Sequence, residues 1–202
     1  MLKKFFENFR NPQDNLGGKF MLKSMNSGHE KLASWARSYL DIDKDDIVLD
    51  LGCGGGRNIE YFLTKARVVY GLDHSKASVD MARKINKKAI EAGRCQIIEG
   101  EINKLPFDDE SLDIVTAFET IYFWKDLEGV FKEIYRVLKL GGQFLICNEA
   151  SSKERKDVQR LASLIDFEVY TPEDLTKILG QLGFSFDYHL DKKKQLTLLA
   201  RK

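Results

Sequence analysis

Residues 46–58 read Asp-Ile-Val-Leu-Asp-Leu-Gly-Cys-Gly-Gly-Gly-Arg-Asn. An apolar run interrupted only by Asp50 breaks into Gly52, Gly54, Gly55 and Gly56. A glycine turn between a strand and a helix can hold a nucleotide-like ligand, because residues without Cβ allow the turn and a close backbone approach. A second acid, Asp73, stands 23 positions after Asp50, near the spacing at which a carboxylate meets a ribose. The dinucleotide fingerprint Gly-x-Gly-x-x-Gly does not fit. Its third glycine falls on Arg57 when counted from Gly52 and on Ile59 when counted from Gly54. The chain has Gly-x-Gly-x-Gly instead, behind a carboxylate that suits an ammonium-bearing ligand and repels a pyrophosphate.

These residues need a sheet to position them. Apolar runs and alternation predict strands near residues 47–51, 67–72, 95–99, 111–118 and 143–147. Helical periodicity predicts helices over residues 57–65, 76–92 and 127–138, the last ended by a glycine stop at Gly141-Gly142. Thr171-Pro172-Glu173-Asp174 is a capped helix start with proline at the first position, and Gly183 closes that helix. Residues 184–189 and 195–200 read as a closing antiparallel hairpin. The expected class is α/β: a doubly wound, Rossmann-like, seven-stranded and mostly parallel sheet with an antiparallel C-terminal hairpin and helices on both faces. Ahead of it, Leu2, Phe5, Phe6 and Phe9 recur at helical spacing. After a break at Asn11-Pro12 and Gly17-Gly18, Asn26 or Ser27 caps a second helix, in which Leu32, Trp35, Ala36 and Tyr39 share a face. The organisation expected is one domain over residues 1–202, with cap helices at 1–40 and the core at 41–202.

Composition narrows the function. At 202 residues, 43% hydrophobic and 31% charged, the chain reads as a soluble globular domain. Lys+Arg 32 against Asp+Glu 31 leaves a net charge of +1, so bulk charge gives no argument for nucleic acid. Cys53, Cys95 and Cys147 are odd in number, far apart and without metal-ligand spacing. A reducing cytoplasm and no bound metal are the expectation. No apolar run reaches membrane-spanning length, and the N-terminus lacks the pattern of a signal peptide.

The nine residues Val48-Leu49-Asp50-Leu51-Gly52-Cys53-Gly54-Gly55-Gly56 resemble motif I of the class I S-adenosylmethionine-dependent methyltransferases, in particular the small, type 11-like ones. Arg136 to Ile146 resembles the family's R-x-L-K-x-G-G-x-x-x-I scaffold stretch, so the likeness runs in the expected order from residue 46 to 202. The resemblance implies S-adenosylmethionine as cofactor and S-adenosylhomocysteine as product. It implies that Asp50, Gly52, Cys53 and Gly54 lie at the methionine end of the cofactor, and that Asp73, with His74 beside it, meets the ribose. By the same likeness Glu101 meets the adenine amino group and Ile102 packs on the ring, while Phe118 turns its carbonyl to the ammonium group. It places the reacting groups at the end of the fourth strand, where Glu119 is the candidate base, with Tyr122 and His29 behind it.

Transfer from a sulfonium needs the nucleophile held in line and water excluded, and a base only where the acceptor must lose a proton. The reading favoured is a small-molecule methyltransferase, since there is no appended recognition domain and no basic stripe. An RNA or protein methyltransferase, and a non-catalytic cofactor-binding protein, are the alternatives. The acceptor and the oligomeric state are not legible in these residues.

Overall fold

The computed structural model describes residues 30–156, 159–160 and 167–202. The amphipathic stretch at Leu2–Phe9 and His29 lie outside the described residues, as does part of the segment at 148–170. Seven strands form one sheet: β1 (Ile47–Leu51), β2 (Val68–Asp73), β3 (Cys95–Glu99), β4 (Leu112–Phe118), β5 (Leu138–Asn148), β6 (Ser185–Leu190) and β7 (Leu196–Arg201). Their order is β3-β2-β1-β4-β5-β7-β6, parallel except where β7 pairs with β5 and β6. The strand order reverses between β1 and β4, and a doubly wound sheet opens its ligand crevice at the carboxyl ends of such a pair.

The central strands are apolar on both faces because helices cover both. Leu49 and Leu51 of β1, with Val115 and Ala117 of β4, belong to one buried cluster, which includes Phe131 and Ile134 of α5 (Leu127–Val137). Val48 and Ile114 point into the opposite cluster, with Ile59 and Phe62 of α2 (Arg57–Phe62) and Val79 and Ala82 of α3 (Lys76–Ile85). The described part of the N-terminal region is α1 (Glu30–Arg37), whose Leu32 and Ala36 bury against Leu145, Cys147 and Leu199. Trp35 and Tyr39 pack on the same cluster, so the expected apolar face is the one used.

Two helix expectations change in detail. The single helix over residues 76–92 is two, α3 and α4 (Lys87–Glu91), broken at Asn86. The Asn86 side chain donates to the carbonyls of Gly56 (3.1 Å) and Ala82 (3.0 Å), which draws it inward to the glycine turn. That long-range bond competes with helix continuation at a residue that already favours breaks. No glycine stop ends α5: Leu138 is its cap in an extended conformation, and β5 starts there. Gly141, with φ +77°, instead lies within β5, beside the irregular register of β4 with β5. The last helix, α6 (Pro172–Gln181), begins as expected with a capping box between Thr171 and Asp174.

Candidate active site

The glycine turn leaves β1 and is fixed at once to β2. The amides of Gly52 and Cys53 both donate to the Leu72 carbonyl, at 2.8 and 3.1 Å. The amide of Gly54 donates to Oδ2 of Asp73 (2.9 Å), while the Ser75 amide donates to Oδ1 (2.8 Å). Asp73 therefore braces the turn with both carboxylate oxygens and still borders the cleft. Burial raises its pKa above the ordinary range, against the lowering effect of those two amide bonds. Ser75 caps α3, its hydroxyl accepting from the Ser78 amide at 3.4 Å.

The glycines have different physical reasons. Gly52 (φ +65°) has no room for a side chain, since an added Cβ would lie 2.2 Å from Oγ1 of Thr120. Gly56 (φ +80°) passes against α3, where a Cβ would meet Asn86 and Ala82. Gly54 (φ +51°) differs: an added Cβ would meet no atom within 4 Å. Its open side lies in the cleft wall. Gly52→Ala is accordingly expected to cost about 2–4 kcal/mol of stability by urea unfolding, from overpacking and left-handed strain together. Gly54→Ala is expected to cost only about 1 kcal/mol, the left-handed penalty alone, while calorimetric titration shows a large loss of cofactor affinity.

The cleft at the carboxyl ends of β1, β2 and β4 encloses about 340 Å³. Gly52, Cys53, Gly54, Asp73, His74, Glu101, Ile102, Phe118 and Glu119 all line it, so nine of the candidates named from sequence converge on one space. Asp50 and Tyr122 lie behind the wall. Asp50 is buried; its Oδ1 accepts from the Thr116 hydroxyl at 2.7 Å and its Oδ2 has no partner. Burial pushes its pKa up to about 7, the Thr116 bond and Arg37 working the other way. The Tyr122 hydroxyl accepts from the Ala150 amide (2.9 Å) and donates to Oε2 of Glu119 (3.4 Å), and its ring stacks on Phe167 at 4.4 Å. It holds Glu119 from behind.

Glu119 is built in with some strain. Its φ is +57°, a left-handed conformation uncommon for a residue with a side chain. Its amide donates to the Cys147 carbonyl at 2.8 Å, and its Oε1 accepts from the Glu149 amide. Burial raises its pKa to about 8, more than these hydrogen bonds lower it. Burial favours the neutral thiol at all three cysteines, pushing Cys53 and Cys147 well up and Cys95 to about 11.

Thr120, Phe123 and Trp124, at the strand-four end where the resemblance places the reacting groups, also line the cleft. Sequence reading missed Asn58, Lys125 and Asp126, which line it too, and Glu30, which reaches it from α1. Glu30 is held by Arg37, whose guanidinium is buried; it also donates to Oδ1 of Asn58 (3.0 Å) and lies over the Tyr61 ring at 4.2 Å. This Arg37 contact set ties the cap helix to α2, and only its helical position was visible beforehand. Among the described residues, five acidic side chains (Glu30, Asp73, Glu101, Glu119, Asp126) border the cleft against two permanent cations, Arg57 and Lys125. An acidic cleft of that kind suits a cationic ligand. No group of three or more His, Cys, Asp or Glu side chains could hold a metal among the described residues.

The open side of Gly54, the buried Asp50 oxygen left without a partner and the acidic cleft all fit S-adenosylmethionine, whose sulfonium and ammonium are cationic. The sheet order and this cleft have the form that the resemblance to the class I S-adenosylmethionine-dependent methyltransferases implies. The family model described as "Methyltransferase domain" matches residues 49–146. The cycloartenol-C-24-methyltransferase of Arabidopsis thaliana is 36% identical over 165 residues, covering 77% of this chain and 49% of that protein. The sterol 24-C-methyltransferase of Clavispora lusitaniae is 28% identical over 162 residues, 75% of this chain and 43% of that protein. The chain thus spans less than half the length of these curated relatives. Among solved structures, the methyltransferase in complex with the Haloferax volcanii Trm112 activator superposes with a TM-score of 0.77 at 22% identity, over 90% of this chain and 93% of that one. No helix among the described residues is long and apolar enough to cross a membrane.

Proposed function

We propose that this chain transfers the methyl group of S-adenosylmethionine to a small, largely apolar acceptor that enters beside Phe123. The observation that carries the reading is the mixed lining of the cleft. The glycine turn, Asp73 and Glu101 share one space with the aromatic residues Phe118, Phe123 and Trp124, and Phe123 is backed edge-on by Phe167 at 5.9 Å. The relatives named as sterol methyltransferases support an apolar acceptor. Bound there, the cofactor supplies an activated methyl group, and no metal is needed for the displacement. The chain's part is to position and to exclude water. Asp73 accepts from the ribose hydroxyls, Glu101 from the adenine amino group, and Ile102 packs on the ring. The Phe118 carbonyl receives the ammonium group. Glu119 stands at the reacting end as the base for an acceptor that must lose a proton, held by Tyr122. His29 is kept as a further candidate from the cap, and the division into cap (1–40) and core (41–202) is part of the proposal.

The test is a calorimetric titration with S-adenosylmethionine, S-adenosylhomocysteine and NAD, followed by a methyl-transfer screen over sterols, other apolar alcohols and alkenes, RNA and protein. Micromolar affinity for the first two ligands, none for NAD, and turnover confined to apolar acceptors is the expected result. Methylation of RNA or protein alone would overturn the acceptor class. NAD binding alone would overturn the cofactor.

A further inference from the structure

β6 ends the sheet, and among the described residues no strand pairs with its outer side. All six of its residues are exposed. Phe186, Tyr188 and Leu190 share one face, at 37, 41 and 41% exposure, opposite Ala200, Leu198 and Leu196 of β7. Those three β7 residues are buried in the main core, so the apolar face continues from the core to the edge strand, where Phe186 packs near Gly180 of α6. An edge strand carrying unpaired backbone groups and large apolar side chains is a template for another strand. The opposite face carries Ser185, Asp187 and His189, the imidazole stacked on Tyr39 at 4.3 Å.

The hairpin fixes which backbone groups point outward. The Asp191 amide donates to the Gln195 carbonyl at 3.1 Å. Antiparallel pairs alternate between bonded and non-bonded, so His189, Asp187 and Ser185 spend their backbone groups on β7. Phe186, Tyr188 and Leu190 turn theirs to the open side.

We propose that β6 pairs antiparallel with β6 of a second copy of the chain, about a two-fold axis at Tyr188, joining the two sheets edge to edge. A two-fold normal to the sheet keeps apolar faces together. With Tyr188 opposite itself, Phe186 meets Leu190 of the second copy, and every outward amide on the three residues finds an outward carbonyl. The same register sets Asp187 directly opposite His189 of the second copy, on both sides of the axis. Sliding by one pair step either way places Asp187 against Asp187 or against Asp191 of the second copy, and like charges directly opposite are destabilising. Extending the favoured register by two pairs brings Lys192 of the second copy opposite Phe184. The Phe184 amide closes the C-terminus of α6 on the Leu179 carbonyl, an end that favours cations. A net charge of +1 puts little repulsion between copies. The contact lies on the edge of the sheet away from the cleft and adds an assembly to the proposed reaction without depending on it.

The test is sedimentation velocity on the chain over about 1–200 μM, a range that spans micromolar association, expecting a species of twice 23.2 kDa. Proline is tolerated on an edge strand where its missing N–H faces outward, so Tyr188→Pro keeps the β7 pairing and removes the bond at the axis. It should raise the dimer dissociation constant about 100-fold or more, the loss of the paired amides on both copies. His189→Glu should weaken the dimer about tenfold, and Asp187→Lys added to it should restore most of the affinity. A chain monomeric throughout the range, or a dimer indifferent to Tyr188→Pro, would overturn the interface. A charge swap without rescue would overturn the register. Cofactor affinity measured on the variants separates this outcome from the fate of the methyltransferase reading, since none of these residues borders the cleft.

Discussion

Asp73→Ala is expected to lower the affinity for S-adenosylhomocysteine by about 100-fold and to weaken the fold by about 2–4 kcal/mol. Both effects have one cause. The carboxylate accepts the amides of Gly54 and Ser75, so its removal orphans two donors at the point where β1 and β2 meet. A buried donor left unmade costs about 1–3 kcal/mol. The glycine turn then loses its anchor to α3, and the cofactor loses both the ribose acceptors and the shape of the turn. Urea unfolding of the free chain measures the first loss, and a calorimetric titration measures the second. A ligand lacking the ribose hydroxyls separates bracing from ribose recognition. If Asp73 bonds the ribose, S-adenosylhomocysteine and its 2′,3′-dideoxy analogue differ by about tenfold or more in the wild type and bind alike to the variant. If Asp73 only braces the turn, the two ligands keep the same ratio in both proteins. Asp73→Asn keeps one acceptor oxygen for one amide, and should recover part of the stability with little of the ribose discrimination.

That double use of Asp73 marks the border of what the residues alone disclose. The strand, the glycine turn and the acid at the end of the next strand are contiguous patterns, and their periodicity and spacing carry the α/β class with them. The reasons for the individual glycines are not contiguous. Gly52 is demanded by Thr120, which comes 68 positions later, and Gly56 by Asn86 on another helix. Only the contact of one turn with two other elements tells them from Gly54, which faces the ligand. Asn86 shows the same limit, because the helix signal runs through it until its amide meets Gly56 and breaks the helix. Tyr122 was legible as a candidate at the end of the fourth strand, yet its hydroxyl turns from the cleft to the Ala150 amide. Arg37 drew no reading from the sequence, where only the apolar face of its helix stood out. Its burial against Asn58, Glu30 and Tyr61 depends on how α1 lies on the sheet. Apolar faces and turns are local properties, and the destinations of buried polar side chains are not.

Glu119→Gln is expected to remove much of the pH dependence of the fold's stability and all of that of the cofactor preference. Burial raises the Glu119 pKa to about 8 and that of Asp50 to about 7. A carboxyl whose folded pKa lies above its unfolded one binds its proton more tightly when folded. The stability it contributes is full below the unfolded pKa, about 4–4.5, and is lost as pH rises through 7 and then 8. The wild-type melting temperature should therefore fall from pH 5 to pH 9, against the usual trend for paired carboxylates. The glutamine variant keeps an acceptor for the Glu149 amide, turns an NH2 donor toward the Tyr122 hydroxyl where the carboxylate oxygen accepted, and has no proton to lose. Its melting temperature should match the wild type near pH 5 and exceed it near pH 9, leaving the part of the slope due to the other carboxyls that burial raises, Asp50, Asp73 and Asp46. Binding adds a second reading. A cation in the cleft favours the ionised carboxylate, and a neutral thioether does not. In the wild type, the preference for S-adenosylmethionine over S-adenosylhomocysteine should rise by up to about tenfold per pH unit below pH 8 and then level off. In Glu119→Gln that preference should stay flat. Equal slopes in the two proteins would place Glu119 too far from the sulfonium to sense it, and would remove it from the reacting end of the cleft. If the slope vanishes with the glutamine while turnover on a neutral acceptor persists, the carboxylate works on the charge of the cofactor. Loss of turnover at unchanged preference would make it the base.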